Sequence, residues 1–123
     1  MEVCGYGRAE IIKRVPEVLA KVGLLAKKEK FIETLSGWEV QRTCIARALI
    51  HDPHIIIGDE PTGNLDRNNA NEIMALLEEL HINGKTIIMA THDEYIVNTM
   101  KKRVIAFADG EIVSDTIGGT YCL

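Results

Sequence analysis

Ile55-Ile56-Ile57-Gly58-Asp59-Glu60-Pro61 is an apolar run that stops abruptly at two acids and a proline. A short isoleucine run bounded by turn residues reads as a buried parallel strand. Downstream, Asp66 precedes Ile73, Leu76, Leu77 and Leu80 at helical spacing, with Asn83-Gly84 as a stop. That pattern predicts an amphipathic helix capped by Asp66. Thr86-Ile87-Ile88-Met89-Ala90 is a second candidate for a buried strand, and it ends at Thr91-His92-Asp93. Strand, helix and strand in succession point to an α/β layer fold.

Upstream, Asp52-Pro53 closes a helix whose start is sharply marked. Ser36-Gly37-Trp38-Glu39 has the S-x-x-E form of a capping box, and Leu35 and Val40 are spaced for a hydrophobic staple. The helix should reach about Ile50 and bury Ile45, Ala48 and Leu49. Before it, Ile11, Ile12, Val15, Val18, Leu19 and Val22 recur at helical spacing, with Gly23 as a stop. Pro16 inside that pattern means either a kinked helix or two short ones. Lys27-Lys28-Glu29-Lys30 reads as a solvated connection. At the other end a short helix should run to about Met100. Arg103 to Ala108 and Glu111 to Asp115 should then form a hairpin on Asp109-Gly110.

Composition narrows the function. The 123 residues fit one domain, and 46% hydrophobic with 26% charged residues is ordinary for a soluble globular protein. A net charge of −4 argues against a general electrostatic grip on nucleic acid. No apolar run approaches the ~18 residues of a membrane span, and the first residues lack a signal-peptide pattern. Cys4, Cys44 and Cys122 are scattered, which argues against a disulfide scaffold or zinc module and suits reduced thiols.

Chemistry is to be sought at strand ends and helix starts, where α/β sheets keep their ligands. Ser36 and Gly37 open a helix whose unpaired amides and dipole attract an anion, although a serine there is most often only a cap. Asp59 and Glu60 follow one another on a strand, so their side chains point to opposite faces and can serve different roles. One strand-end carboxylate suits Mg2+, which takes few carboxylates plus phosphate oxygens and water. The bland alternative, a pair of solvated loop acids, sits poorly after an isoleucine run. His92 could touch a phosphate or polarise water, yet a lone strand-end histidine is more often structural. Gly84-Lys85-Thr86 imitates the tail of a phosphate-binding loop, but position 79 is Glu79 and a helix precedes where a strand is needed.

Taken together, these segments resemble the ABC ATPase family. Leu35-Ser36-Gly37-Trp38-Glu39-Val40-Gln41-Arg42 is similar to the signature LSGGEQQR, and Ile55 to Pro61 is similar to Walker B. Thr62-Gly63-Asn64-Leu65-Asp66 resembles the D-loop, and Met89-Ala90-Thr91-His92-Asp93 the switch-histidine segment. Asp59-Glu60-Pro61-Thr62-Gly63-Asn64-Leu65-Asp66 is similar to the group of lipoprotein-release, macrolide-export and cell-division (FtsE) ATPases. The tail from Ile96 to Ile105, with Gly118-Gly119-Thr120-Tyr121, looks most like the cell-division branch.

The resemblance implies a partial P-loop NTPase domain: a mostly parallel sheet with flanking helices and a C-terminal β-hairpin, the P-loop strand missing. Residues 1–34 would be part of the helical subdomain and 35–123 the C-terminal half of the ATPase core. It implies ATP and Mg2+ as cofactors. Asp59 would hold Mg2+ through water, Glu60 would be the general base, and His92 would contact the γ-phosphate. Ser36, Gly37 and Glu39 would complete the ATP site of the opposite subunit in a head-to-tail dimer, with Asp66 linking the sites. It also implies an FtsX-like membrane partner and a cytoplasmic place on the inner face of the membrane. The family's P-loop, adenine-stacking aromatic and glutamine loop lie upstream of the signature, and this chain is expected to begin after them. Without the P-loop a Walker B acid should bind ATP poorly, and two open strand edges should face the gap.

Trp38 stands where the signature has glycine. Its indole would either block the opposing phosphate or turn aside against the preceding helical region. Val40 for glutamine suits the staple, and Gly58 is a minor departure. Three functions compete: an ATP-hydrolysing subunit inactive alone, a non-catalytic remnant that only dimerises or binds an intact partner, and a metal hydrolase using Asp59, Glu60, His92 and Asp93. The last lacks metal-ligand spacing.

Overall fold

The computed structural model describes residues 1, 4–27, 29, 31 and 35–121. Lys28, Lys30 and Cys122 of the sequence reading lie outside them. The chain forms two compact units, Met1–Met89 and Ala90–Leu123.

The first unit holds helices α1 (Arg8–Lys21), α2 (Gly37–Leu49) and α3 (Arg67–Ile82), with strand β1 (Ile55–Asp59) and most of β2 (Thr86–Ala90). Pro16 lies inside one continuous α1. Gly23 ends that helix with φ +75, a conformation costly for any residue with a Cβ. Its N–H donates to Ala20 O at 3.1 Å and Leu24 N–H to Leu19 O at 2.8 Å, so the last turn's carbonyls are satisfied. Val18 and Val22 are buried, whereas Ile12 is 64% exposed, so the apolar pattern overstated the buried face.

Helix α2 packs against α1 and α3. Its buried residues are Glu39, Ile45, Ala46 and Leu49. Ala48, expected in the core, is exposed because the buried face turns toward Ala46 and Ile50 instead. Arg14 Nε donates to Ile50 O and ties α1 to the end of α2. Asp66 caps α3, whose Ile73, Leu76, Leu77 and Leu80 are all buried as their spacing predicts. Lys85 is fixed to Asp52 Oδ1 and Pro53 O, a structural role for the residue that imitates a P-loop lysine.

β1 and β2 are hydrogen-bonded neighbours in a two-stranded parallel sheet, joined through α3. The pairing begins where Thr86 N–H donates to His54 O at 2.8 Å. Neither strand is buried on both faces. Ile56 is 7% exposed, but Ile55 and Ile57 are 55% and 76% exposed, and Ile88 is half uncovered as well. The expectation of fully buried strands is therefore corrected. The apolar run was read as two covered faces, and the described residues cover only the face carrying Ile56.

The second unit contains α4 (Glu94–Met100), β3 (Val104–Ala108) and β4 (Glu111–Thr116). The strands form the expected antiparallel hairpin, with Val104 opposite Thr116 and a bulge between Ala106 and Phe107. Its turn has Asp109 at φ 51 and Gly110 at φ 80, the two positive angles of a tight hairpin turn. Arg103 grips Asp115 through Nε (2.9 Å) and Nη2 (2.7 Å).

The burial contrast on β1 is testable by urea unfolding. Ile56→Ala should cost about 2–4 kcal/mol, as for a core isoleucine. Ile57→Ala should stay within about 0.5 kcal/mol, as for a surface position. Equal losses would mean that the second face is covered.

Candidate functional site

Ser36 is the N-cap of α2, in extended backbone (φ −71, ψ 165) with the capping-box arrangement present. Glu39 reaches back: its Oε1 accepts the Ser36 N–H at 3.3 Å and the Ser36 hydroxyl at 2.8 Å. The hydroxyl thus donates to a carboxylate rather than serving only as an acceptor. These bonds, the hydroxyl's first, hold the Glu39 carboxyl below the usual glutamate range. Lys27 Nζ stands 3.7 Å from Glu39 Oε2, which is buried and has no hydrogen-bond partner among the described residues. Ser36 and Gly37 are exposed, and a Cβ added at Gly37 would meet nothing within 4 Å. First-turn amides that are open to solvent at the positive end of a 13-residue helix can take an anion.

Trp38 does not stand over that opening alone. Its ring lies 5.0 Å from Arg42 Cζ, one turn along α2, and the side chain is half-buried. Arg42 in turn donates from Nη1 to Val22 O (2.8 Å) and from Nη2 to Glu72 (2.8 Å). The indole is therefore stacked on a side chain of its own helix. Arg42 carried no role in the sequence reading; its i, i+4 spacing to Trp38 was the available signal.

Asp59 ends β1 with its side chain exposed, a single carboxylate of the kind Mg2+ takes together with phosphate oxygens and water. Glu60 follows in the left-handed region at φ 47, directly before Pro61. A non-glycine residue there stores strain on the order of 1–3 kcal/mol, which the surrounding turn must hold. The turn does so: Gly63 N–H donates to Glu60 O at 3.0 Å and Leu65 N–H to Thr62 O at 3.3 Å. A Cβ on Gly63 would lie 3.2 Å from Glu60 O, a tight approach that the turn would have to relieve by a few tenths of an ångström. Thr62 is buried, a detail the motif reading left unremarked. Asp66 accepts from Asn69 N–H at 3.5 Å and from the Asn69 side chain, so its cap role is formed.

The first unit thus contains Ser36, Gly37, Glu39, Asp59, Glu60 and Asp66. His92 lies in the second, exposed, two residues beyond the end of β2. Asp93 is engaged as the cap of α4, accepting from Tyr95 N–H (3.0 Å) and Ile96 N–H (3.3 Å). No group of three or more His, Cys, Asp or Glu side chains gathers among the described residues.

Comparison with known proteins bears on the family. Residues 7–63 match the ABC transporter family. The solved structure of cbiO1 from Clostridium perfringens, part of the ABC transporter complex cbiONQ, superposes with a TM-score of 0.83 at 36% identity. That match covers 92% of this chain and 45% of cbiO1. The chain belongs to the ABC transporter ATPase family. Within it, the chain is 52% identical to the cell division ATP-binding protein FtsE of Streptococcus pneumoniae over 98% of its length and 53% of that protein's. FtsE of Bacillus subtilis is 51% identical over the same shares. The chain spans about half the length of the curated relatives it matches.

Removing the guanidinium in Arg42→Ala should cost about 1–2 kcal/mol in urea unfolding, chiefly because the part-buried Val22 carbonyl loses a charged donor. Trp38 is the single tryptophan, so its emission should shift red in the folded variant; unchanged stability and emission would contradict this bracing. Glu39 predicts a pH effect. A carboxyl lowered on folding stabilises above its unfolded value near ~4.3 and loses that contribution as pH falls through the folded value. Glu39→Gln should therefore flatten the fall in melting temperature between about pH 5 and about pH 3. An acid limb identical to wild type would contradict it.

Proposed function

We propose that the chain is the signature and Walker B portion of an FtsE-like ATPase, acting in cell division with an FtsX-like membrane protein. In this reading residues 1–34 belong to the helical subdomain and 35–123 to the second half of the ATPase core. The carrying observation is Asp59-Glu60 at the end of β1, with Glu60 held at positive φ, beside a strand that leads to His92. Bound Mg2+ would draw charge off the phosphate oxygens, with Asp59 holding it through water. Glu60 would take the proton of the attacking water, and His92 would touch the γ-phosphate. Phosphoryl transfer is chiefly positioning and charge stabilisation, and these side chains supply both.

Ser36, Gly37 and Glu39 would meet the ATP of an opposite subunit in a head-to-tail dimer, formed with a second copy or with an intact one. Asp66 would sit between the two sites. Taking a phosphate requires the Ser36 hydroxyl to exchange Glu39 for a phosphate oxygen. The chain would work on the cytoplasmic face of the membrane, peripheral to it. No helix among the described residues is long and apolar enough to cross a membrane.

The sequence contains no G-x-x-x-x-G-K-[ST], so these 123 residues are expected to be inactive alone. A second reading, a non-catalytic module that dimerises or binds an intact partner, draws support from the exposed Ile55, Ile57 and Ile88. Phosphate release with Mg2+ and ATP separates them. The purified chain should turn over no more than its Glu60→Gln variant. Added to the P-loop half of an FtsE relative, it should support hydrolysis that Glu60→Gln lowers by about 10²-fold or more. Binding of that half without Glu60-dependent turnover would favour the non-catalytic reading. Glu60-dependent turnover by the chain alone would refute its inactivity.

A further inference from the structure

Away from the strand ends, the loop before α1 and the end of α2 build a second chemical site. Cys4 Sγ lies 3.7 Å from His51 Nε2, a hydrogen-bond length for sulfur. His51 Nδ1 lies 3.1 Å from the Tyr6 hydroxyl, and the two rings lie 5.4 Å apart between centroids. Cys4, Gly5, Tyr6, Glu10 and His51 line a shallow depression open to solvent. The Glu10 carboxylate in this depression is turned to the Gly7 N–H at 3.1 Å. Arg14 bonded to Ile50 O holds α1 against the chain immediately before His51.

This is the arrangement of an activated nucleophile: a thiol, a base within reach, and a third group that orients the base. In the tautomer that donates Nδ1–H to Tyr6 Oη, Nε2 carries the lone pair and faces the thiol. We propose that Cys4 is a thiol-exchange site for low-molecular-weight disulfides, with His51 as its base and Tyr6 as a positioning residue. His51 Nε2 takes the Cys4 proton. The thiolate attacks one sulfur of the disulfide, a Cys4–S–S–R bond forms as the S–S bond breaks, and the leaving thiolate recovers the proton from His51. One disulfide and one thiol become one mixed disulfide and one thiol, so no further oxidant enters. The adduct would sit at the end of α2 opposite Ser36, apart from the residues assigned to ATP.

Cys44 is the internal control, since it too is free and exposed but lies within α2. The intact chain is exposed to oxidised glutathione at neutral pH, and the adduct on each cysteine is followed by peptide mass spectrometry. Cys4 should be modified about 10-fold faster than Cys44 in the folded chain, and at the same rate as Cys44 in urea. His51→Gln should bring the folded ratio to within about 2-fold, and Tyr6→Phe should lower it partway. Equal rates in the folded wild-type chain would overturn the proposal. So would a folded ratio that survives His51→Gln, or one that persists in urea.

Discussion

Arg42 is the point at which the three long helices share one geometry. From α2 it holds the last carbonyl region of α1 at Val22, pairs with Glu72 on α3, and lies over Trp38 on its own helix. Its side chain is only 15% exposed, so the bond to Val22 O is partly shielded from water, whereas Glu72 is 58% exposed and that ion pair is a surface contact. Gly23 is shaped by the same residue: a Cβ there would come within 3.0 Å of Arg42 Nη1. Arg42 thus ties the first half of α2 to the end of α1 and to α3.

The second constraint is the turn after β1. Glu60 is held at an angle that a glutamate adopts only when its surroundings insist. Gly63, Thr62 and Pro61 supply that insistence by close packing and backbone bonds. Strain of this kind concentrates where a side chain has to be aimed, and here it falls on the carboxylate proposed as a base. The capping of α3 by Asp66, a few residues on, fixes the far end of the same loop.

Much of this was legible in the chain itself. Capping signals located the starts of α2 and α3, the glycine stops placed two helix ends, and Asp109-Gly110 identified the hairpin, because each of these depends on local backbone chemistry. What was not legible depends on packing across distance. The isoleucines of β1 looked buried because their composition reports preference for an apolar setting, not whether one is present. Ala48 and Ala46 could not be told apart for the same reason, since both suit a helix interior. That Trp38 stacks on Arg42 was not among the arrangements the sequence suggested. The pairing of Cys4 with His51 joins positions 47 residues apart, which no local motif spells out. At the site, the order of motifs pointed to Ser36, Asp59, Glu60 and His92 as candidates, whereas the bond from the Ser36 hydroxyl to Glu39 is a property of coordinates.

The central claim is that, when the remaining half of the domain is supplied and two subunits pair head to tail, Asp59, Glu60 and His92 of one subunit and Ser36 of the other face one terminal phosphoryl group. Isotope-labelled chain, joined to an unlabelled P-loop half, can be titrated with Mg2+ and ATP while its resonances are followed. The amides of Ser36, Gly37 and Glu60 and the His92 imidazole should move together along a single binding curve. Saturation by nucleotide with those resonances unmoved would contradict the account.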